Sequence, residues 1–130
     1  MRTDYRARLC NLFFLHKLFP VWGSLWEREQ MDFYTIHPRE IDEIVRSKRA
    51  VLIDVREREE YREYHFQNAR NLPYEEMEGW MHCLPRNRAL VLYCDYGSTS
   101  LMAARKLGKA GYEVYTVIGG IEAIKNFYGP

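Results

Sequence analysis

Cys94 is the residue of this 130-residue chain whose type and setting best suit chemistry. It closes the apolar run Leu90-Val91-Leu92-Tyr93, and the polar loop Asp95-Tyr96-Gly97-Ser98-Thr99-Ser100 leads from it into a helical pattern. The thiolate is the reactive form of cysteine, and helix N-termini are a setting that lowers a thiol pKa from about 8.5 toward 3.5–7.5. In a parallel α/β sheet, ligands gather outside the carboxyl ends of the strands, where helix N-termini favour anions. Gly97 allows the loop to turn successive N–H groups inward as an anion nest. Ser98, Thr99 and Ser100 add hydroxyl donors, and Thr99 or Ser100 is placed to cap the helix. Such a loop suits a nucleophilic sulfur, or a negatively charged sulfur atom carried on it. The competing reading is an inert, buried cysteine at a strand end.

The rest of the chain supplies elements to position this loop. Phe33–Ile36 reads as a short strand, and His37-Pro38 opens a helix whose stripe Ile41, Ile44 and Val45 runs to Ser47. Val51-Leu52-Ile53-Asp54-Val55 is the uninterrupted apolar pattern of a strand buried on both faces of a parallel sheet. A charged, solvated helix is expected from Arg56 to His65, a short connection or strand over Ala69–Pro73, and a helical stretch over Glu75–Cys83. Pro85–Arg88 turns into a strand at Ala89–Tyr93. Ser100–Ala110 is the clearest amphipathic helix, with Ala103, Leu107 and Ala110 on one face and Gly111 as its stop. A strand at Glu113–Val117, a turn at Gly119-Gly120 and a helix at Ile121–Phe127 complete the order. Strands alternating with helices predict an α/β fold with a doubly wound parallel sheet flanked by helices.

Residues 1–30 differ from the remainder, residues 31–130, which read as one domain. The first segment carries five basic and three acidic side chains, against 14 and 15 afterwards. Its run Leu9–Trp22 is too interrupted by Asn11, His16, Lys17 and Pro20 to span a bilayer. Leu9, Leu12, Phe13, Leu15 and Phe19 form one side of a short helix, so an N-terminal helical extension is expected. Homodimer packing and peripheral membrane contact are its alternative roles, beside a non-native or disordered extension with Met31 as the functional start. A net charge of +1 gives no pull toward nucleic acid. Three cysteines without paired spacing, Cys10, Cys83 and Cys94, fit a reduced protein in the cytoplasm rather than a disulfide or zinc framework.

Several stretches together resemble the rhodanese homology domain. They are Ile53-Asp54-Val55-Arg56, Glu60-Tyr61, His65-Phe66, Asn68-Ala69, Asn71-Leu72-Pro73, the Tyr93–Ser100 loop, and Gly111–Tyr115 with Gly119-Gly120. The resemblance covers about residues 33–128 in the family's order. It implies a single-domain sulfurtransferase in which Cys94 takes sulfane sulfur from a donor, becomes a persulfide, and passes the sulfur to a thiol or cyanide. Asp95, Tyr96, Gly97, Ser98, Thr99 and Ser100 would be the substrate-binding set, with backbone N–H groups from Asp95 to Thr99 as the cradle. Asp54 and Arg56 would support the loops beneath the site. The implied partner is a small sulfur donor or a persulfidated protein, with no metal or other cofactor. The alternative is a rhodanese-like binding or regulatory module without turnover.

Two departures from the family pattern bear on chemistry. Thiosulfate-using members often carry a basic residue after the cysteine, whereas Asp95 stands here. A carboxylate at that rim repels a dianion by about 1 kcal/mol at 4 Å in water, and by more where partly buried. The usual Gly-His-Ile-Pro-Gly-Ala run appears as Tyr64–Ala69 without either glycine. A cysteine phosphatase would need an arginine six positions after its nucleophile for a bidentate phosphate fork; Ser100 occupies that position, which argues against phosphatase chemistry. Arg86, Arg88 and Arg105 are candidates for a basic rim, although a solvated face is the simpler expectation. Cys83 is a weaker candidate as a resolving thiol, and His37, His65 and His82 are assigned no catalytic role.

Overall fold

In the computed structural model of the chain, residues 32–130 are described and form one unit. The expected helical extension over residues 1–30 lies outside the described residues. The described residues form five strands: β1 (Tyr34–Ile36), β2 (Val51–Asp54), β3 (Arg70–Asn71), β4 (Leu90–Tyr93) and β5 (Val114–Val117). The helices are α1 (Ile41–Lys48), α2 (Arg58–Glu63), α3 (Met77–Trp80), α4 (Ser98–Lys109) and α5 (Gly120–Tyr128). All strand pairings are parallel, in the order β1-β5-β4-β2-β3. The doubly wound parallel sheet expected from the alternation of strands and helices is therefore the observed architecture.

The two-residue period of a strand sorts side chains to opposite faces. Leu90, Leu92 and Cys94 enter one apolar layer with Ile53, Trp80, Ala103, Ala104 and Leu107. Val91 and Tyr93 enter the other, with Ile36, Ile41, Phe66, Ile121 and Ile124. Every residue of β2 and β4 is buried, as the unbroken apolar runs require. Full burial of a Leu, Ile or Val contributes about 1.5–3 kcal/mol, so these central strands are the firmest part of the frame. α2 packs Tyr61 against one layer and α4 packs Ala103, Ala104 and Leu107 into the other, so the winding of the chain reverses between β2 and β4. Asp54 ends β2, and Cys94 follows the end of β4.

Local sequence explains most boundaries, and the differences have physical causes. His37-Pro38 opens a 3₁₀ turn over Pro38–Glu40 before α1. His37 caps that turn: its Nδ1 accepts from Arg39 N at 3.1 Å, and its own N–H donates to Glu40 at 2.7 Å. The stretch expected as one helix over Glu75–Cys83 is a 3₁₀ turn, Tyr74–Glu76, followed by the single turn of α3. Trp80 fixes it by donating its indole N–H to Pro73 O at 2.8 Å. α4 starts at Ser98, two residues earlier than expected. Its N-cap is Gly97 at φ 116°, with no side-chain cap, so neither Thr99 nor Ser100 caps it. Arg86 and Arg88, candidates for a basic rim, both reach backbone carbonyls of other segments. Arg86 donates to Ala110 O and lies 3.9 Å from the Tyr112 ring centroid, while Arg88 donates to Arg49 O at 2.5 Å.

Candidate active site

Cys94 sits where β4 ends, 3% exposed, with its sulfur directed into the turn that follows. Gly97 N–H donates to Cys94 Sγ at 3.1 Å. The left-handed φ of Gly97 aims that amide at the sulfur, a conformation that disfavours side chains. The loop carbonyls go the other way. Cys94 O accepts from Ile121 N–H at 2.7 Å, and Asp95 O accepts from Glu122 N–H at 3.4 Å. The first amides of α5, which have no partner within their own helix, thus hold the carbonyl side of the loop.

This docking depends on Gly120. Its φ is +61°, and a Cβ there would collide with Cys94 O and lie 2.5 Å from Asp95 O. Gly119-Gly120, read from sequence as a tight turn, therefore also brings α5 against the loop backbone. The remaining loop residues divide by exposure. Tyr96 is 75% exposed and Ser98 is exposed, whereas Thr99 and Asp95 are partly covered. Ser100 is fully buried: its hydroxyl donates to Gly97 O at 3.2 Å and accepts from Thr116 Oγ1 at 2.8 Å. The Ser100 hydroxyl thus ties α4 to β5 and to the loop backbone.

Beside the loop, the end of β2 is a closed polar corner. Asp54 Oδ1 accepts from Arg56 N at 2.9 Å and Nε at 3.0 Å, and Oδ2 accepts from Nη2 at 2.8 Å. Arg56 Nη2 also donates to Tyr64 O at 2.6 Å, and Asn71 Nδ2 donates to Asp54 O and Arg56 O. Burial works against the Arg56 charge, but Asp54 outweighs it and holds the guanidinium above its ordinary range. Behind it, Tyr93 Oη accepts from Phe66 N at 3.0 Å. Burial first, then the Asp54 charge, push that phenol well above its usual range.

The corner reaches the loop through Arg56 Nη1, 3.7 Å from Asp95 Oδ1. A further residue joins here that sequence pattern alone places on a solvated helix. Burial, then Asp95, raise the Glu60 carboxyl on α2 above the ordinary carboxylate range. The only signal for it in the sequence is its place in the Glu60-Tyr61 pair. His65 stacks on Tyr61 with ring centroids 3.8 Å apart, and His82 and Cys83 are exposed away from any described metal-ligand cluster. Neither the depression of about 380 Å³ lined by Ile41, Phe66 and Arg88 nor the one beside Tyr74 and Lys106 includes Cys94.

A parallel five-stranded sheet with a cysteine loop at its switch point and an Asp–Arg corner beside it defines an α/β domain with a thiol at the carboxyl end of a central strand. The Rhodanese-like domain model matches residues 37–127, and the chain belongs to that family. It is 32% identical over 84 residues to thiosulfate sulfurtransferase GlpE of Coxiella burnetii, covering 64% of this chain and 78% of that protein. Among solved structures, a rhodanese homolog from the extremely thermophilic bacterium Thermus thermophilus is 31% identical with a TM-score of 0.57, covering 68% of this chain and 98% of that one. Reduced CoADR-RHD of Bacillus anthracis is 31% identical with a TM-score of 0.67; the match covers 72% of this chain and 17% of that longer one. No helix among the described residues is long and apolar enough to cross a membrane.

Proposed function

We propose that the protein is a sulfurtransferase that carries sulfane sulfur on Cys94 as a persulfide. Family membership and a relative named as a sulfurtransferase support sulfur transfer in general. The single observation that carries the assignment to Cys94 is the Gly97 N–H donated to its sulfur, with the neighbouring carbonyls turned away onto α5. In the first step the Cys94 thiolate attacks the outer sulfur of a persulfide, R–S–SH. The new bond joins Cys94 Sγ to that sulfur, the donor S–S bond breaks, and R–S⁻ leaves to take up a proton from water. In the second step an acceptor thiolate attacks the outer sulfur of the Cys94 persulfide. The electron pair of the broken S–S bond returns to Cys94. The loop N–H groups need only hold a negative sulfur that is one atom further out.

Asp95 argues for the donor class. Its carboxylate follows the nucleophile and repels thiosulfate, so a small organic persulfide or a protein persulfide is the better donor. Incubation with cysteamine persulfide, a donor without a carboxylate, should add one sulfur atom to the intact mass, removed by dithiothreitol. A Cys94→Ser protein that took up and delivered sulfur at the parent rate would overturn the assignment.

A second reading is a rhodanese-like regulatory module without turnover, and the 3% exposure of Cys94 is the observation in its favour. It predicts slow alkylation of Cys94 by iodoacetamide at neutral pH. The sulfur-carrier reading predicts fast alkylation.

A further inference from the structure

We propose that the hydroxyls of Thr116 and Ser100 form a positioning chain that sets the Cys94 loop for sulfur transfer, acting on it through the carbonyl of Gly97. This inference rests on the sulfur-carrier reading of Cys94 and adds two residues that act on the sulfur only through the loop backbone.

The chain is continuous. Thr116 Oγ1 donates to Ser100 Oγ at 2.8 Å, Ser100 Oγ donates to Gly97 O at 3.2 Å, and Gly97 N–H donates to Cys94 Sγ at 3.1 Å. A hydroxyl has one proton to give. Because Thr116 fills an acceptor position on Ser100, the Ser100 proton is directed at Gly97 O. That carbonyl also accepts from Leu101 N–H at 3.1 Å, the first backbone bond of α4. Two donors on one oxygen fix the Gly97–Ser98 peptide plane, and with it the left-handed φ of 116° that aims the Gly97 N–H at the sulfur. A trans peptide opposes its C=O and N–H, so a carbonyl directed into α4 leaves the Ser98 N–H pointing out of the helix end. A sulfur one atom beyond Cys94 Sγ is then met by amides already set in place, a form of stabilisation that needs no rearrangement during the reaction.

Packing alone gives no reason for these two groups. Thr116 lies in β5 next to Leu92 of β4, and the two-residue period sets it on the face of Val114, which packs in the layer of Cys94, Ala103 and Leu107. Valine would fill that place with nearly the same shape and no polar atom. Thr116 and Ser100 are both buried, so each hydroxyl must find its partner inside the protein. Their place matches the backbone they serve. A Cβ on Gly97 would stand 3.9 Å from Val117 O and 3.4 Å from Gly119 N, so the carboxyl end of β5 backs the turn of the loop. The chain runs from the sheet to the turn that holds the nucleophile.

The test sets stability against sulfur transfer. Sulfur uptake by the full chain from cysteamine persulfide is followed by intact mass in a single turnover, and stability by urea unfolding. Thr116→Val removes the first donor of the chain and is expected to slow uptake about fivefold, the rate equivalent of one neutral hydrogen bond. Thr116→Ser keeps the donor but loses a buried methyl, and should stay within about twofold of the parent rate although its urea midpoint falls. The double variant S100A/T116V strands no hydroxyl, so its urea midpoint should exceed that of T116V while its uptake stays slow. Thr35→Val, which removes an exposed hydroxyl from the residue paired with Thr116 in β1, should match the parent. In ¹⁵N-edited NMR the Gly97 amide proton should move upfield in the double variant, as its bond to Cys94 Sγ loosens. Uptake that tracks the urea midpoint across the variants, or a double variant with the parental rate and Gly97 resonance, overturns the inference and leaves the sulfur carrier standing. A parent protein that takes up no sulfur overturns the sulfur-carrier reading, and the positioning chain with it.

Discussion

The corner after β2 and the corner after β4 stand side by side, Asp54 opposite Tyr93 in the ladder, and they are built on opposite terms. At the first, every strong group has a partner: the Asp54 carboxylate is filled by the backbone and side chain of Arg56, and Asn71 and Tyr64 close the remainder. At the second, among the described residues, the sulfur of Cys94 takes one hydrogen bond, from the N–H of Gly97. A filled corner resists change, while an under-filled one has capacity for an incoming group. The saturated β2 corner thus fixes the end of β2 and the Arg56 side chain, which lies 3.7 Å from Asp95 of the reactive loop.

The comparison can be broken most completely at the reactive corner. Cys94→Ser is expected to keep the fold and to lose sulfur uptake down to background, read as intact mass after a persulfide pulse. At the filled corner the loss falls on stability instead. Asp54→Ala strands the buried Arg56 cation, and such a removal costs about 3–5 kcal/mol, measurable by urea unfolding. An Asp54→Ala protein of parental stability would remove the distinction between the corners. Gly120→Ala connects the two behaviours, because it strains a left-handed residue and pushes a methyl into Cys94 O. It should cost about 1–3 kcal/mol and slow Cys94 alkylation in the folded protein.

The smaller effects concern charge. Glu60 is raised in the folded state by burial and by Asp95, so its contribution is complete below the unfolded glutamate range near 4.3 and is lost as pH rises through the raised value. E60Q should therefore gain stability relative to the parent between pH 4 and pH 8, seen as a rising difference in urea midpoint. The Lys48–Glu113 pair, 2.9 Å long with both side chains over 40% exposed, is the control. Lys48→Ala should change stability by less than about 0.5 kcal/mol, as exposed pairs do.

The strands, the order of elements and the reactive loop are legible in the sequence because each rests on local pattern: a period of two, a period of 3.6, a cysteine ahead of a glycine. Pattern alone starts helix α4 two residues late because hydroxyl residues are the commonest caps, whereas a glycine fills that role here and Ser100 turns its hydroxyl back inside. His37 gives no signal as a cap for a similar reason, since imidazole seldom fills that role. Glu60 looks like one more charge on a solvated helix. Asp95, which helps to raise it, is 35 residues away in the chain, and only the fold brings that charge to bear. The same holds for Phe66 N–H on Tyr93 Oη, a contact across 27 residues. Arg86 and Arg88 read as surface charge until carbonyls from other elements are brought to them.

The grip of α5 on the Cys94 carbonyl has a consequence for hydrogen–deuterium exchange. First-turn amides of a helix ordinarily exchange quickly, having no acceptor in their own helix. Ile121 N–H bonds to Cys94 O at 2.7 Å beneath a buried side chain, so it should be among the slowly exchanging amides of the chain. Its deuteration rate then reports whether the loop is seated, without any sulfur reagent being present.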